Sequence, residues 1–316
     1  MATGGKKLIS VITPCYNEEA NVRACVDRVR SIFQDKLLRY DYEHIFCDNS
    51  SEDKTVEILR TICAGNKHVK LIVNARNFGP FRSTFNALMS AKGDAVLVML
   101  AADLQDPPEL LPEFVARWEQ GYEVVYGIRS KRQESLVMSS IRKFYYRLVS
   151  RWAAIKIPLD VGEFQLIDKV VVEALRKVDD YYPYIRGLIA NCGFRAIGVE
   201  YVWKRRERSL SKNNLYGLID QGMNGLISFA NVPMRIMMIV GFLTATISLC
   251  YALVTVVLYL WMRKLAQPGI GTLIVGMFFF NGILLFFLGL MGEYICAIHS
   301  QVRRRPMVIE RERINF

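Results

Sequence analysis

Histidine is scarce in this 316-residue chain. His44, His68 and His299 are the whole supply, too few for a histidine-rich zinc site. The seven cysteines, at positions 15, 25, 47, 63, 192, 250 and 296, include no CxxC pair. That excludes a thioredoxin-like or zinc-ribbon pattern, and they read as free thiols of a reducing compartment. Internal repeats and low-complexity tracts are absent, which excludes a repeat array. The opening MATGGKKLISVITPCYNEEA lacks the apolar core of a signal peptide: its apolar stretch is only Leu8 to Ile12, before a turn and acidic residues.

Charge is missing in two places. No charged side chain occurs from Ile236 to Met262, nor from Leu265 to Gly292. Each run exceeds the roughly 20 residues that cross a ~30 Å hydrocarbon layer. A soluble core would need two successive helices apolar on every face. The sequence therefore predicts a transmembrane hairpin over residues 234–298, with spans about 235–262 and 268–293 joined by RKLAQPG. Lys204, Arg205, Arg206, Arg208, Lys212 and Arg235 precede the first span, and Arg303, Arg304 and Arg305 follow the second, against Arg263 and Lys264 in the turn. This positive-inside asymmetry puts residues 1–230, and a basic tail over 299–316, on the cytoplasmic side of the cell membrane.

The net charge of +11 concentrates beside the spans and in one middle stretch. That fits anionic headgroups or phosphates better than nucleic acid. Arg129, Lys131, Arg132, Arg142, Lys143, Arg147, Arg151 and Lys156 face a single acid, Glu134, and are interleaved with aromatic residues. A helix at about 135–156 reads as lying on the bilayer surface, with a second interfacial helix at about 213–230.

Ahead of these, strands alternate with helical patterns. KLISVITP, YEHIFCD, VKLIVN, DAVLVML and YEVVYG read as strands, separated by helices over about 18–33, 51–64 and 81–91 and one ending near Trp118. This is an α/β pattern: a mostly parallel, doubly wound, Rossmann-like sheet, whose ligands bind beyond the carboxyl ends of the strands. Four strand ends carry polar residues: Pro14-Cys-Tyr16-Asn-Glu18-Glu19, Asp48-Asn-Ser-Ser, Asn74-Ala-Arg-Asn77-Phe-Gly79, and Asp103-Leu-Gln105-Asp106. Singly each is weak, since Asp48-Asn-Ser-Ser is an ordinary turn and helix cap, and Pro107-Pro108 an ordinary helix start. In a parallel sheet they converge on one crevice. Asp48 suits a base or ribose, and Asp103 a hard divalent cation on phosphates, Mg²⁺ or Mn²⁺.

SVITPCYNEEANV, CDNSSEDKT, ARNFG and AADLQDPPE resemble the inverting GT-A glycosyltransferases of family 2. YGIRSKRQES, DVGEFQLIDKVVVEAL, KRRERSLSK and GEYICAIHSQVRRRP are similar to the polyprenyl-phosphate glycosyltransferases, the group of the GtrB-like bactoprenol glucosyltransferases, the aminoarabinose transferase ArnC and dolichyl-phosphate mannose synthase. The resemblance covers nearly the whole chain, and its closing segment points to the bacterial GtrB-like branch. It implies transfer of one sugar, UDP-glucose being the best-matched donor, to a membrane polyprenyl phosphate such as undecaprenyl phosphate, by a homotetramer. GDP-mannose and UDP-arabinose derivatives are the alternative donors. It implies that Pro14, Tyr16, Glu18, Asp48 and Asn77 surround the nucleotide, and that Asp103 and Gln105 meet metal and diphosphate. Arg129, Arg132 and Arg142 would meet a donor or lipid phosphate, and Arg206 and Lys212 would close over the phosphates. Arginine–phosphate pairing makes this sensible chemistry in its own right. The family's GDFRL motif stands as Gly162-Glu163-Phe164-Gln165-Leu166, which leaves Glu163 as base or orienter, with Asp160 in reserve.

Departures from the family pattern define the rivals. Ala101 stands where an aspartate is usual, Asn49 where a second aspartate is frequent, and Gln165 replaces an arginine; these favour a catalytically weak membrane scaffold. A processive polysaccharide synthase would carry Gln-x-x-Arg-Trp, but Phe114 and Leu148 precede the two Arg-Trp pairs. A channel or transporter would want charge near the middle of its spans, and there is none. A working site with one metal carboxylate, Asp103, remains the expectation, since phosphate and water supply further ligands.

Overall fold

In a computed structural model, the described residues are 5–131, 161–178, 180, 183–202, 270–303 and 306–316, with a few isolated positions between 240 and 261. The two interfacial helices and most of the first span lie outside them, as do Arg132, Arg142, Asp160, Arg206 and Lys212.

The predicted alternation is present. β1 (Lys7–Cys15), α1 (Val22–Asp35), β2 (Tyr40–Asp48), α2 (Thr55–Gly65), β3 (Val69–Asn74), α3 (Pro80–Ser90), β4 (Ala95–Leu97), α4 (Leu111–Glu119) and β5 (Val124–Lys131) follow in order. β6 (Val161–Asp168), α5 (Lys169–Leu175), α6 (Ile185–Asn191), β7 (Ala196–Val202), α7 (Ile270–Val302) and β8 (Glu310–Ile314) complete the described elements. Alternate strand residues feed two apolar layers. Val11, Phe46, Leu71 and Leu166 pack with residues of α1, α2 and α4. Ile12, Ile45, Ile72 and Ile167 pack with residues of α3, α5 and α6. Burial on both faces explains why these strands read as near-continuous apolar runs.

The sheet has eight strands in the order β7-β5-β6-β4-β1-β2-β3-β8. β1 lies between β2 and β4, parallel to both, so strand order reverses there and opens a crevice at their carboxyl ends. The sheet is mostly parallel, as expected, with two strands antiparallel to their neighbours, β6 and the edge strand β8. β6 runs antiparallel between β4 and β5, so the Gly162–Leu166 motif sits inside the sheet. Extending the pairing of Leu97 with Leu166 by three residues sets Glu163 beside Leu100, just short of Asp103.

The C-terminal segment differs from the expected basic tail. The second apolar helix, α7, runs on to Val302, and the chain then returns as β8 to pair antiparallel with β3. Counting only the side chains described, no helix is long and apolar enough to cross a membrane. The backbone of α7 is nevertheless continuous over 33 residues, and its sequence is uncharged until Glu293. At 1.5 Å per residue the helix is about 50 Å long. Leu273, Met277, Phe280, Leu284 and Leu288 are exposed along it.

Candidate active site

The loops after β1 and β2 are laced together. Asn17 and Glu18 donate backbone N–H groups to the hydroxyls of Ser51 and Thr55, both at 2.9 Å, and Glu52 returns one to Asn17 Oδ1 at 2.8 Å. Lys54 N–H donates to Glu19 Oε2 at 3.0 Å. Asp48 is fully buried beneath this clasp. Its carboxylate accepts from the Ser51 N–H at 2.9 Å, from the Ser51 hydroxyl, and from the Cys15 thiol at 3.8 Å. Burial pushes the Asp48 carboxyl up, and the Ser51 hydrogen bonds oppose it. Sequence reasoning put Asp48 against the nucleotide; the structure has it holding the loop that frames that crevice. Pro14, Tyr16 and Glu18 remain half-buried along the rim.

Asn49 joins the second and third strand ends. Its Oδ1 accepts from Asn74 Nδ2 at 3.0 Å, and its Nδ2 donates to the Gly79 carbonyl at 3.4 Å. An aspartate could accept the first bond but not donate the second. Asn77 Oδ1 caps the Gly79 N–H at 2.9 Å, and Gly79, at φ 86, uses a conformation natural to glycine. Asn77 thereby shapes the turn into α3. His44, the buried histidine, bonds Thr13 Oγ1 at 2.8 Å, and burial lowers its pKa to about 3. It is a neutral core residue.

The loop after β4 separates its two carboxylates. Asp103 is half-buried and accepts the Gln105 N–H at 3.2 Å. Leu104 between them sits at φ 56, a strained position for leucine, held by packing against the core. Asn17 and Ser50 also have positive φ, so three strand ends around one crevice carry such residues. Asp106 instead turns inward and is 6% exposed. It accepts from Arg129 Nη2 at 3.2 Å on each oxygen and from the Tyr201 hydroxyl, while Arg129 Nε donates to Tyr201 at 3.0 Å. A Cβ at Gly162 would come within 3.0 Å of Arg129 Nη2, so glycine leaves room for this guanidinium. Arg129, expected on a phosphate, is engaged in this buried triad. Tyr201 escaped the sequence reading, and Asp106 was read only as part of the polar strand end; the alternation of AIGVEYV as a strand was the available signal.

Glu163 is the other buried acid, 9% exposed. Its Oε1 lies 3.7 Å from Arg186 Nε, and its Oε2 has no hydrogen-bond partner among the described residues. Burial pushes its carboxyl up, opposed by the charge and backbone N–H of Arg186 and by Arg129. A partly compensated buried carboxyl at a crevice suits proton transfer or orientation of a reacting group. Gln165, two residues on, donates to the Gly162 carbonyl at 3.0 Å. It secures the strand, a task the family's arginine charge is not needed for.

Among the described residues no three His, Cys, Asp or Glu side chains gather as a metal site. Asp103 and Gln105 offer two oxygen donors at the crevice, while Asp106 is neutralised by Arg129. This pair fits a hard cation that shares its remaining ligands with a bound diphosphate and water.

The mixed, mostly parallel α/β sheet carries Asp48, Asp103 and Asp106 at or after the carboxyl ends of its strands. The glycosyl transferase family 2 profile matches residues 10–176, and the chain belongs to that family. It is 34% identical over 301 residues to the uncharacterized glycosyltransferase YkcC of Bacillus subtilis, covering 95% of this chain and 92% of that protein. It is 30% identical over 302 residues to the bactoprenol glucosyl transferase of Shigella phage SfII, with 95% and 96% covered. Among solved structures, the mannosyltransferase PcManGT of Pyrobaculum calidifontis, in complex with GDP-Man and Mn²⁺, aligns at 19% identity and TM-score 0.48 over 71% of this chain and 63% of that one.

Proposed function

We propose that the protein transfers one sugar from a nucleotide-sugar donor, UDP-glucose in the first instance, to the phosphate of a membrane polyprenol such as undecaprenyl phosphate. One observation carries the reading. Val202, where the chain leaves the sheet toward its apolar segments, and Glu310, where it returns, both lie at the carboxyl end that holds the crevice. Eight residue steps separate Val302 from Glu310, so the end of α7 lies within about 28 Å of Glu310, at the same end of the sheet as the crevice. Leaving and re-entering one sheet also requires an even number of membrane crossings. That supports a two-span hairpin with the sheet and β8 on one, cytoplasmic, side. The similarity to proteins named bactoprenol glucosyl transferase supports the acceptor and the sugar.

Chemically, an oxygen of the lipid phosphate forms the new bond to the anomeric carbon while the bond to the donor diphosphate breaks, inverting configuration. The phosphate is already an anionic nucleophile, so alignment matters more than a strong base. Asp103 and Gln105 would hold Mg²⁺ or Mn²⁺, which supplies positive charge to the departing diphosphate when bound. Glu163 orients the acceptor phosphate and takes its proton when it arrives singly protonated. Arg132, Arg142, Arg206 and Lys212 supply cationic contacts to the phosphates in this reading, and Asp160, three residues before Glu163 in the sequence, is the reserve acid.

Membrane-folded protein with Mg²⁺ or Mn²⁺, undecaprenyl phosphate and either UDP-glucose, a UDP-arabinose derivative or GDP-mannose tests it. A lipid-linked monosaccharide by mass spectrometry is the expected product. No product with any donor overturns the reading.

A further inference from the structure

α6 is a short helix outside the four strand ends, and none of the motif residues lies on it. Its Arg186 nevertheless reaches across to β6. Nη1 donates to the Val161 carbonyl at 2.9 Å, and Nε donates to the Tyr184 hydroxyl at 2.5 Å. The guanidinium carbon lies 4.7 Å from the centroid of the Tyr184 ring. The fork is thus fixed by a backbone oxygen, a hydroxyl and an aromatic face, and its charge stands 3.7 Å from Glu163 Oε1. That spacing is too long for a direct hydrogen bond and short enough for strong attraction between partly buried charges. Glu163 Oε1 therefore faces the Arg186 charge, and Oε2 is buried with no hydrogen-bond partner among the described residues.

We propose that Arg186, braced by Tyr184, is a positioning residue: it holds Glu163 in place on one side of the crevice and keeps its carboxylate ionised for the acceptor phosphate. This rests on the transferase reading above. Among the described residues, two cationic groups face Glu163, Arg186 from α6 and Arg129 from β5. Arg129 already shares its charge with Asp106, so Arg186 is the principal counter-charge. A lysine cannot replace it fully, because one ammonium cannot bridge Val161, Tyr184 and Glu163 in fixed geometry.

The experiment is a double-mutant cycle on the full chain, with Arg186→Gln and Glu163→Gln singly and together. For Arg186→Gln, kcat should fall about tenfold or more with donor KM little changed, as expected when a general base is misplaced. Its acid limb should move to higher pH, since losing the counter-charge raises the carboxyl pKa. In the Glu163→Gln background, Arg186→Gln should cost almost nothing further. Arg186→Lys should restore the acid limb but only part of kcat, and Tyr184→Phe should lower kcat more mildly. An unmoved acid limb, or a full additional loss in the Glu163→Gln background, overturns the proposal. Wild-type turnover decides the transferase reading separately. The protonated-carboxyl infrared band that Glu163→Gln removes gives a readout without any substrate. An upward shift of its titration in Arg186→Gln supports the proposal, and an unchanged titration overturns it.

Discussion

The two halves of the sheet handle polar groups differently. In the half formed by β1, β2, β3 and β8, loop side chains bond backbone amides a short way along or on the adjacent loop. Ser51, Thr55, Asn17, Asn49 and Asn77 do this without charge. In the half formed by β4, β6, β5 and β7, buried carboxylates meet arginines distant in sequence: Asp106 with Arg129, and Glu163 with Arg186. The first half is a pre-shaped cradle whose buried Asp48 carboxylate is held by an amide, a hydroxyl and a thiol and meets no arginine among the bonds described. The second stores paired charge, in the proposed reaction on the side where the sugar changes hands. The first half also holds a buried ion pair far from the crevice, Glu43 with Lys70 at 2.6 Å, near the amino ends of the strands.

Between the halves stands Asp103, and its removal should have the largest effect. Asp103→Ala should lower Mg²⁺- or Mn²⁺-dependent turnover by roughly a thousandfold, on the scale of lost electrostatic stabilisation of a leaving group. Turnover within tenfold of wild type would move the metal site elsewhere. Next comes Arg129→Ala, which leaves the buried Asp106 carboxylate uncompensated and should destabilise the fold by about 3 kcal/mol. Urea unfolding measures it; a loss below about 1 kcal/mol would mean that water reaches Asp106 and that the halves differ less than their geometry says.

Glu163→Gln should sharpen the contrast by changing activity and stability in opposite senses. Turnover should fall about a hundredfold. The folded protein carries a Glu163 carboxyl whose pKa is raised by burial. Such a group destabilises the fold progressively as pH climbs past its unfolded value, because the native state resists losing the proton. The glutamine variant should therefore have a higher urea midpoint than wild type at pH 7, with the gain shrinking toward pH 4. Glu43 should behave the other way. Lys70, Ser10 and the Lys92 N–H hold its pKa down despite burial, so its contribution is present at neutral pH and lost as pH falls through its lowered folded value. An acid-side loss of stability in wild type should be blunted in Glu43→Gln.

How much of this was legible follows the same division. β1 to β5 and the four polar strand ends were readable because each is local: an apolar run, then turn residues, then a helix. β6 was not, because a strand inserted antiparallel between β4 and β5 is set by partners some seventy and forty residues away. Arg129 was singled out as a cation, but its seat depends on Asp106 and Tyr201, and no spacing rule joins positions 106, 129 and 201. Ala101 and Gln165 looked like signs of decay. Gln165 turns out to bond the Gly162 carbonyl, and Asn49 uses a donor that aspartate lacks. β8 was hidden by charge: Glu310-Arg-Glu-Arg-Ile314 reads as a solvated tail, and becomes a strand only because an edge was waiting for it.

That edge supplies the smallest expected effects and the finest test of the comparison. β8 is held by Arg60 to Glu312 at 2.5 Å, by Asn86 to Glu310 at 2.6 Å, and by Asn315 Nδ2 on the carbonyls of Cys63 and Val69 at 2.9 and 2.8 Å. The Arg60–Glu312 pair is half exposed, so Arg60→Ala should cost less than about 1 kcal/mol in urea unfolding. Asn315→Ala removes partners from carbonyls in a part-buried turn and should cost about 1 kcal/mol. Neither side chain is near the carboxylates, so donor KM and kcat should stay within about twofold for both. If instead turnover collapsed in Asn315→Ala while stability held, β8 would be coupling α7 to the crevice, and this half would take part in the reaction as well as framing it.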